Sequence, residues 1–208
     1  MNLWEIEQSY FDRGISLICG TDEAGTGPLE GPVYAAAVIL PPGWLPEGLN
    51  DSKQVTEKNR DRLYDEIIKY ATAWSVTSVD VAEIERINIL NARLLAMERA
   101  IMKLVPRPEF ALVDGNRDKG ITLPHLAVVK GDSHSASIAA ASILAKVSRD
   151  RYMTELDTRY PRYGFAKHKG YGTAAHYAAL DAYGPCPVHR QSFLKKWYQR
   201  RAEGGAES

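Results

Sequence analysis

Two adjacent carboxylates, Asp22 and Glu23, stand between two apolar runs, residues 15–19 and 33–40. The segment that joins the runs is Thr21-Asp22-Glu23-Ala24-Gly25-Thr26-Gly27-Pro28-Leu29-Glu30-Gly31-Pro32. Paired acids at the end of a core strand add little to folding, whereas a metal ion or a phosphate-handling site accounts for them. The pattern recurs. Asp114 follows Ala111-Leu112-Val113, and Asp132 follows Val128-Val129-Lys130-Gly131. In α/β sheets, functional groups gather where strands end and loops reach solvent. Carboxylates brought together repel one another and their pKa values rise. A divalent cation offsets that repulsion, and oxygen-only ligands suit Mg²⁺ or Mn²⁺ better than zinc. Two such ions about 4 Å apart can activate water and stabilise a leaving oxygen in phosphodiester cleavage. Geometry sets one condition. Consecutive strand residues face opposite sides, so Asp22 and Glu23 share a site only if the chain turns there or Glu23 reaches around.

The elements that must hold these acids follow from periodicity. Residues 15–19 and 33–40 read as buried strands. Thr56 is placed to cap a helix over residues 57–71, with Leu63, Ile67, Ile68 and Ala71 as its apolar stripe. Residues 74–79 alternate as a strand, and 81–87 fit a short helix. Leu90, Leu94, Met97, Ile101 and Leu104 mark a longer helix ending before Pro106. Residues 110–113 and 126–129 are short strands. Residues 135–147, nearly all Ala, Ser and Ile, form a helix slim enough to dock closely on another backbone and to hold the preceding Asp132 firmly. Strands alternating with helices predict an α/β layered domain.

The chain has 208 residues, 45% of them hydrophobic, in the range of one globular domain with a sizeable core. No apolar run approaches the roughly 18 residues of a membrane span. The first residues carry Glu5 and Glu7 and lack a basic-then-apolar signal layout, so a cytoplasmic protein is expected. Cys19 and Cys186 have no metal-type spacing, and Cys19 reads as a small core residue. Formal net charge is zero, from 26 basic and 26 acidic residues. The last third is nonetheless rich in Lys and Arg, and a basic half facing an acidic centre suits a polyanion held beside metal ions.

Together these residues resemble the ribonuclease HII, or type 2 ribonuclease H, family. The resemblance lies in Asp22-Glu23-Ala24-Gly25-x-Gly27-Pro28-Leu29-x-Gly31-Pro32-Val33, in Asp51-Ser52-Lys53, in Val113-Asp114-Gly115 and in Lys130-Gly131-Asp132. It continues through the small-residue helix to Lys146-Val147-x-Arg149-Asp150, then His168-Lys169-Gly170-Tyr171-Gly172-Thr173-x-x-His176 and His189-Arg190-x-Ser192-Phe193. It implies an RNase H-like mixed sheet flanked by helices, as a single catalytic domain over residues 1–208. A C-terminal helical extension is expected over roughly residues 160–200, with a disordered tail at 203–208. It implies Mg²⁺- or Mn²⁺-dependent cleavage of RNA in RNA–DNA hybrids and at ribonucleotides embedded in duplex DNA, leaving 5′-phosphate and 3′-hydroxyl ends, by a monomer. The family's four metal-binding acids map onto Asp22, Glu23, Asp114 and Asp132, and its tyrosine beside the scissile ribonucleotide onto Tyr171. The resemblance also implies that the loop Gly25-Thr26-Gly27 reads the 2′-hydroxyl through its backbone, and Lys53 and Lys146 are candidate phosphate contacts. His189 and Arg190 either support the C-terminal segment or touch DNA.

One position departs from the family pattern. The usual arginine between the loop glycines is Thr26 here. A fork-shaped, permanently charged donor is lost, which puts affinity at the ribonucleotide in question and leaves the metal chemistry untouched. Thr26 also opens two rival readings. Asp22-x-Ala24-Gly25-Thr26 with Gly131-Asp132-Ser133 resembles a haloacid dehalogenase-type phosphatase, in which Asp22 would attack phosphorus. The other rival is a hybrid-binding paralogue without turnover.

Overall fold

The structure, a computed structural model, describes residues 2–50 and 52–204. Five strands form one mixed sheet in the order β3-β2-β1-β4-β5. In chain order the first elements are α1 (Glu5–Phe11), β1 (Ile18–Ala24), β2 (Val33–Ile39), α2 (Glu57–Tyr70), β3 (Ala73–Val79), α3 (Val81–Ile87) and α4 (Ile89–Met102). Then come β4 (Phe110–Asp114), β5 (His125–Val128), a 3₁₀ turn (Gly131–Ser133) and α5 (Ala136–Arg159). The extension holds α6 (Phe165–His168), α7 (Ala174–Tyr183) and α8 (Lys195–Gly204). β1 pairs antiparallel with β2 and parallel with β4, and β4 pairs parallel with β5. The RNase H-like architecture expected from the sequence is the one observed. The expected disordered tail is corrected at its start, where Glu203 and Gly204 close α8; residues 205–208, and Asp51 of the Asp-Ser-Lys motif, lie outside the described residues.

Both faces of the sheet are covered, which is why β2 reads as an unbroken apolar run. Its Val33, Ala35, Ala37 and Ile39 pack with α3 and α4, while Ala36 and Val38 face α2 and α5. Thr56 accepts a hydrogen bond from Asn59 N and caps α2 as expected. α5 lies closest to the sheet. A Cβ on Gly20 of β1 would collide with the Ser137–Ile138 backbone, so glycine is the residue that admits this helix. The approach anchors the turn that carries Asp132. A buried carboxylate on α1 secures it further. Glu7 Oε1 accepts from Ser135 Oγ at 2.7 Å, Ser137 N at 3.0 Å and Ser137 Oγ at 2.7 Å, where a negative charge meets a helix N-terminus. Neither α1 nor this contact follows from the sequence pattern, since Glu7 reads as a surface acid on a short polar segment.

Two boundaries differ from expectation. The first strand begins at Ile18 rather than residue 15 and runs on through both acids to Ala24. The ladder with β2 continues to Ala24↔Tyr34, and that pairing outweighs the local preference of Asp and Gly for a turn. The small-residue helix continues to Arg159, well beyond residue 147.

Candidate active site

The acids meet where β4 ends beside a β1 that continues. The last paired step between them is Thr21↔Val113, so Asp22 and Asp114 are the next residue on each strand. The chain does not turn at Asp22-Glu23; it is the longer Glu23 side chain that reaches. Carboxylate oxygens of Asp22, Glu23 and Asp114 all lie within 4.8 Å of one another. Asp114 Oδ1 accepts from Gly131 N at 2.7 Å, which ties this cluster to the Asp132 turn. Asp132, 6% exposed, stands beside the three and is not one of them. Its Oδ2 is 3.9 Å from Lys53 Nζ.

Burial holds the Asp22 carboxyl well above its ordinary range, and Glu23, Asp114 and Asp132 push it further. A hydrogen bond of 2.7 Å from Glu23 N pulls the other way. Burial likewise raises Glu23, with Arg93 opposing and Asp114 adding to the shift. Glu23 Oε2 is buried without a hydrogen-bond partner. Clustered buried oxygens, one of them unpartnered, fit a hard divalent cation. Arg93 was not among the sequence candidates. It stands on α4 with Nε 3.5 Å from Glu23 Oε1 and Nη2 donating to the Asp114 carbonyl at 3.3 Å. A signal was available, because Arg93 shares a helical stripe with buried Ala96, Met97 and Ala100. A charge on a core stripe needs a buried partner.

A cleft of about 180 Å³ opens over the cluster, lined by Asp22, Glu23, Gly25, Thr26, Ser52, Lys53, Asp114, Lys146, Arg149 and Tyr171 among others. Six sequence candidates besides the acids therefore surround it: Gly25, Thr26, Lys53, Lys146 and Tyr171 line the wall, and Gly27 borders Tyr171. A Cβ on Gly27 would stand 3.6 Å from Tyr171 Cε1. Tyr171 is 49% exposed. Lys146 Nζ is engaged with Asp150 Oδ1 at 2.7 Å, which turns its charge partly inward. Arg190 is fully buried and donates to backbone carbonyls of the glycine loop, a contact that neither of its sequence readings named.

A second group, Glu30, His176 and His189, also has ligand atoms within 4.8 Å and could by composition hold a divalent metal. It is closed off from the cleft. His189 Nδ1 accepts from Cys186 N at 2.9 Å, His176 Nδ1 faces the Tyr171 carbonyl at 3.1 Å, and the two Nε2 atoms are 3.1 Å apart. One pair of neutral tautomers satisfies all three contacts. Burial lowers both imidazoles to about 4 and raises Glu30 to about 8, with Arg149 and Arg190 pulling Glu30 back. All three shifts favour the uncharged forms, and the guanidiniums of Arg149 and Arg190 already place positive charge beside Glu30.

The sequence matches the family model described as Ribonuclease HII over residues 19–196. The chain belongs to the ribonuclease HII family. Its relatives include a ribonuclease HII of Caldicellulosiruptor bescii, 52% identical over 194 residues, covering 93% of this chain and 94% of that one. The ribonuclease HII of Dechloromonas aromatica is 58% identical over 179 residues, 86% of this chain and 91% of that one. Among solved structures, ribonuclease H2 of Pyrococcus horikoshii superposes with a TM-score of 0.73 at 25% identity, covering 89% of this chain and 98% of the other. This chain is therefore an enzyme of the ribonuclease H type, acting by metal-dependent hydrolysis.

Proposed function

We propose that this ribonuclease HII relative cleaves the RNA strand of RNA–DNA hybrids and cuts at single ribonucleotides embedded in duplex DNA, leaving 5′-phosphate and 3′-hydroxyl ends. One observation carries the reading: three carboxylates within 4.8 Å stand at the floor of a cleft whose walls hold the glycine loop and Tyr171. Asp22, Glu23 and Asp114 would hold a divalent cation, with Asp132 adjacent, and oxygen-only donors favour Mg²⁺ or Mn²⁺. Bound there, the cation would supply Lewis acidity and a water of lowered pKa. The protein supplies the rest. Arg93 orients Glu23. Backbone groups of the Gly25–Gly27 loop and the Tyr171 ring face the space where a sugar with a 2′-hydroxyl would lie, a feature that separates RNA from DNA. Lys53 offers charge to a phosphate. We further propose that it acts as a monomer, through a single catalytic domain with a helical extension.

Thr26 leaves the loop backbone intact and removes a guanidinium, so we infer an active enzyme weakened at single ribonucleotides. The test is the purified protein with Mg²⁺ or Mn²⁺ on a duplex containing one ribonucleotide and on a continuous hybrid. Cleavage of both, slower on the first, is expected. Hydrolysis of small phosphomonoesters without nuclease activity would favour the phosphatase reading, and binding without turnover the paralogue reading.

A further inference from the structure

Arg149 and Arg190 are the two largest fully buried side chains among the described residues. A buried guanidinium is costly unless every donor finds a partner. Here the partners are backbone carbonyls of the two segments that flank the cleft. Arg190 Nη2 donates to the Gly25 carbonyl at 2.7 Å, and Nη1 donates to those of Pro28 at 2.9 Å and Thr26 at 3.3 Å. Its Nε donates to the Gly31 carbonyl at 2.9 Å. Arg149 takes the other side. Its Nη1 donates to the Lys169 carbonyl at 2.9 Å, two residues before Tyr171, and its Nη2 to that of Glu30 at 3.3 Å.

Further contacts close the assembly. Leu29 N donates to the Gly170 carbonyl at 2.9 Å, and Gly31 N to the Val188 carbonyl at 2.9 Å. Gly25, at φ +98°, has no room for a Cβ against Arg149. The glycine loop and the tyrosine loop thus meet through guanidinium forks. The glycine loop leaves β1 at Gly25 while the tyrosine loop lies outside the sheet, so the sheet alone does not set the height of one against the other. A lysine in either place would offer one point charge where the fork has several fixed donors.

We propose that Arg190, with Arg149, is a positioning residue that sets the Gly25–Gly27 loop against Tyr171 and thereby determines discrimination for a single embedded ribonucleotide. This rests on the reading of the cleft as the nucleic-acid site. A lone ribonucleotide has one productive register, and a shift of about 1 Å in a positioning group can cost about a hundredfold in rate. A continuous hybrid presents a cleavable step in every register, so the same misplacement is diluted.

The test compares wild type, Arg190→Lys and Arg149→Lys on the two nucleic-acid substrates, with kcat and KM resolved and the folded fraction measured by thermal unfolding. The expected result is a loss of about tenfold or more in kcat/KM on the single ribonucleotide and about threefold or less on the hybrid. The rise in Tm on adding Mg²⁺ should persist, because the acid cluster is untouched. A merely structural role would lower both substrates in step with the folded fraction, and that outcome overturns the proposal. A second measurement needs no variant. In wild type, amide exchange of Leu29 and Gly31 should be as slow as that of β1, and fast local exchange there would also overturn it. A wild type that cuts neither substrate would instead refute the nuclease reading, which keeps the two failures apart.

Discussion

Replacing Asp22 by Asn should make the metal-free protein more stable while removing its activity. Asp22 shares its surroundings with Glu23 and Asp114, whose oxygens lie within 4.8 Å. At that separation and an effective dielectric near 20, one fully ionised pair repels by about 3–4 kcal/mol. Proton uptake relieves part of this, as the raised Asp22 pKa records. The remaining gain for Asp22→Asn is about 1–3 kcal/mol, or about 3–10 °C in Tm for a chain of this size. The Asn side-chain oxygen can keep the bond from Glu23 N, so no buried donor is orphaned. Sign follows from linkage. A carboxyl whose folded pKa is raised destabilises the fold as pH climbs through that pKa, and the effect is absent below the ordinary carboxylate range. The variant's advantage should therefore vanish near pH 3 and grow as pH rises above the ordinary carboxylate range. Added Mg²⁺ reverses the order, because a ligand at about 100 times its Kd stabilises wild type by about 2.7 kcal/mol and the variant has lost a donor. The assay is thermal unfolding with EDTA and with saturating Mg²⁺ at two pH values, alongside cleavage of a hybrid. A metal-free variant less stable than wild type, or one that keeps most of the Mg²⁺ shift and near-normal turnover, would refute the reasoning.

Tyr171→Ala should slow cutting at a single ribonucleotide more than it weakens duplex binding, since stacking is worth roughly 1–3 kcal/mol per base in single-strand binders; unchanged cleavage would remove Tyr171 from the site. Thr26→Arg should raise kcat/KM on the single-ribonucleotide duplex and steepen the salt dependence of binding, because one more phosphate contact releases more counterion; no gain on either substrate would mean the loop has adapted around Thr26. Glu30, raised from 4.5 to about 8, binds its proton more tightly in the folded state, so wild-type stability should fall as pH rises through that window. Glu30→Gln should lack this slope, and urea unfolding at pH 6 and 9 should separate the two by about 2–3 kcal/mol. Parallel pH profiles would show that Glu30 is not held neutral.

The parts of this protein that depend on local pattern were readable in the sequence. The Thr56 cap, the stripes of α2 and α4, the apolar β2 and the placement of acids near strand ends all follow from spacing and residue type, and the ordered motifs carried the family. Chain ends of elements were less readable, because pairing with β2 holds Asp22 and Glu23 in a strand that their own propensities would end. What only the tertiary structure decided lies in long-range contacts. Glu7 reaches Ser135 and Ser137 across most of the chain, and Arg190 reaches Gly25 from the far end. Arg93 meets Glu23 from a helix on the other side of the sheet from Asp132's anchor, α5. A charged side chain reads as solvated until burial removes its water, and only the assembled fold shows which carbonyls or carboxylates take that water's place.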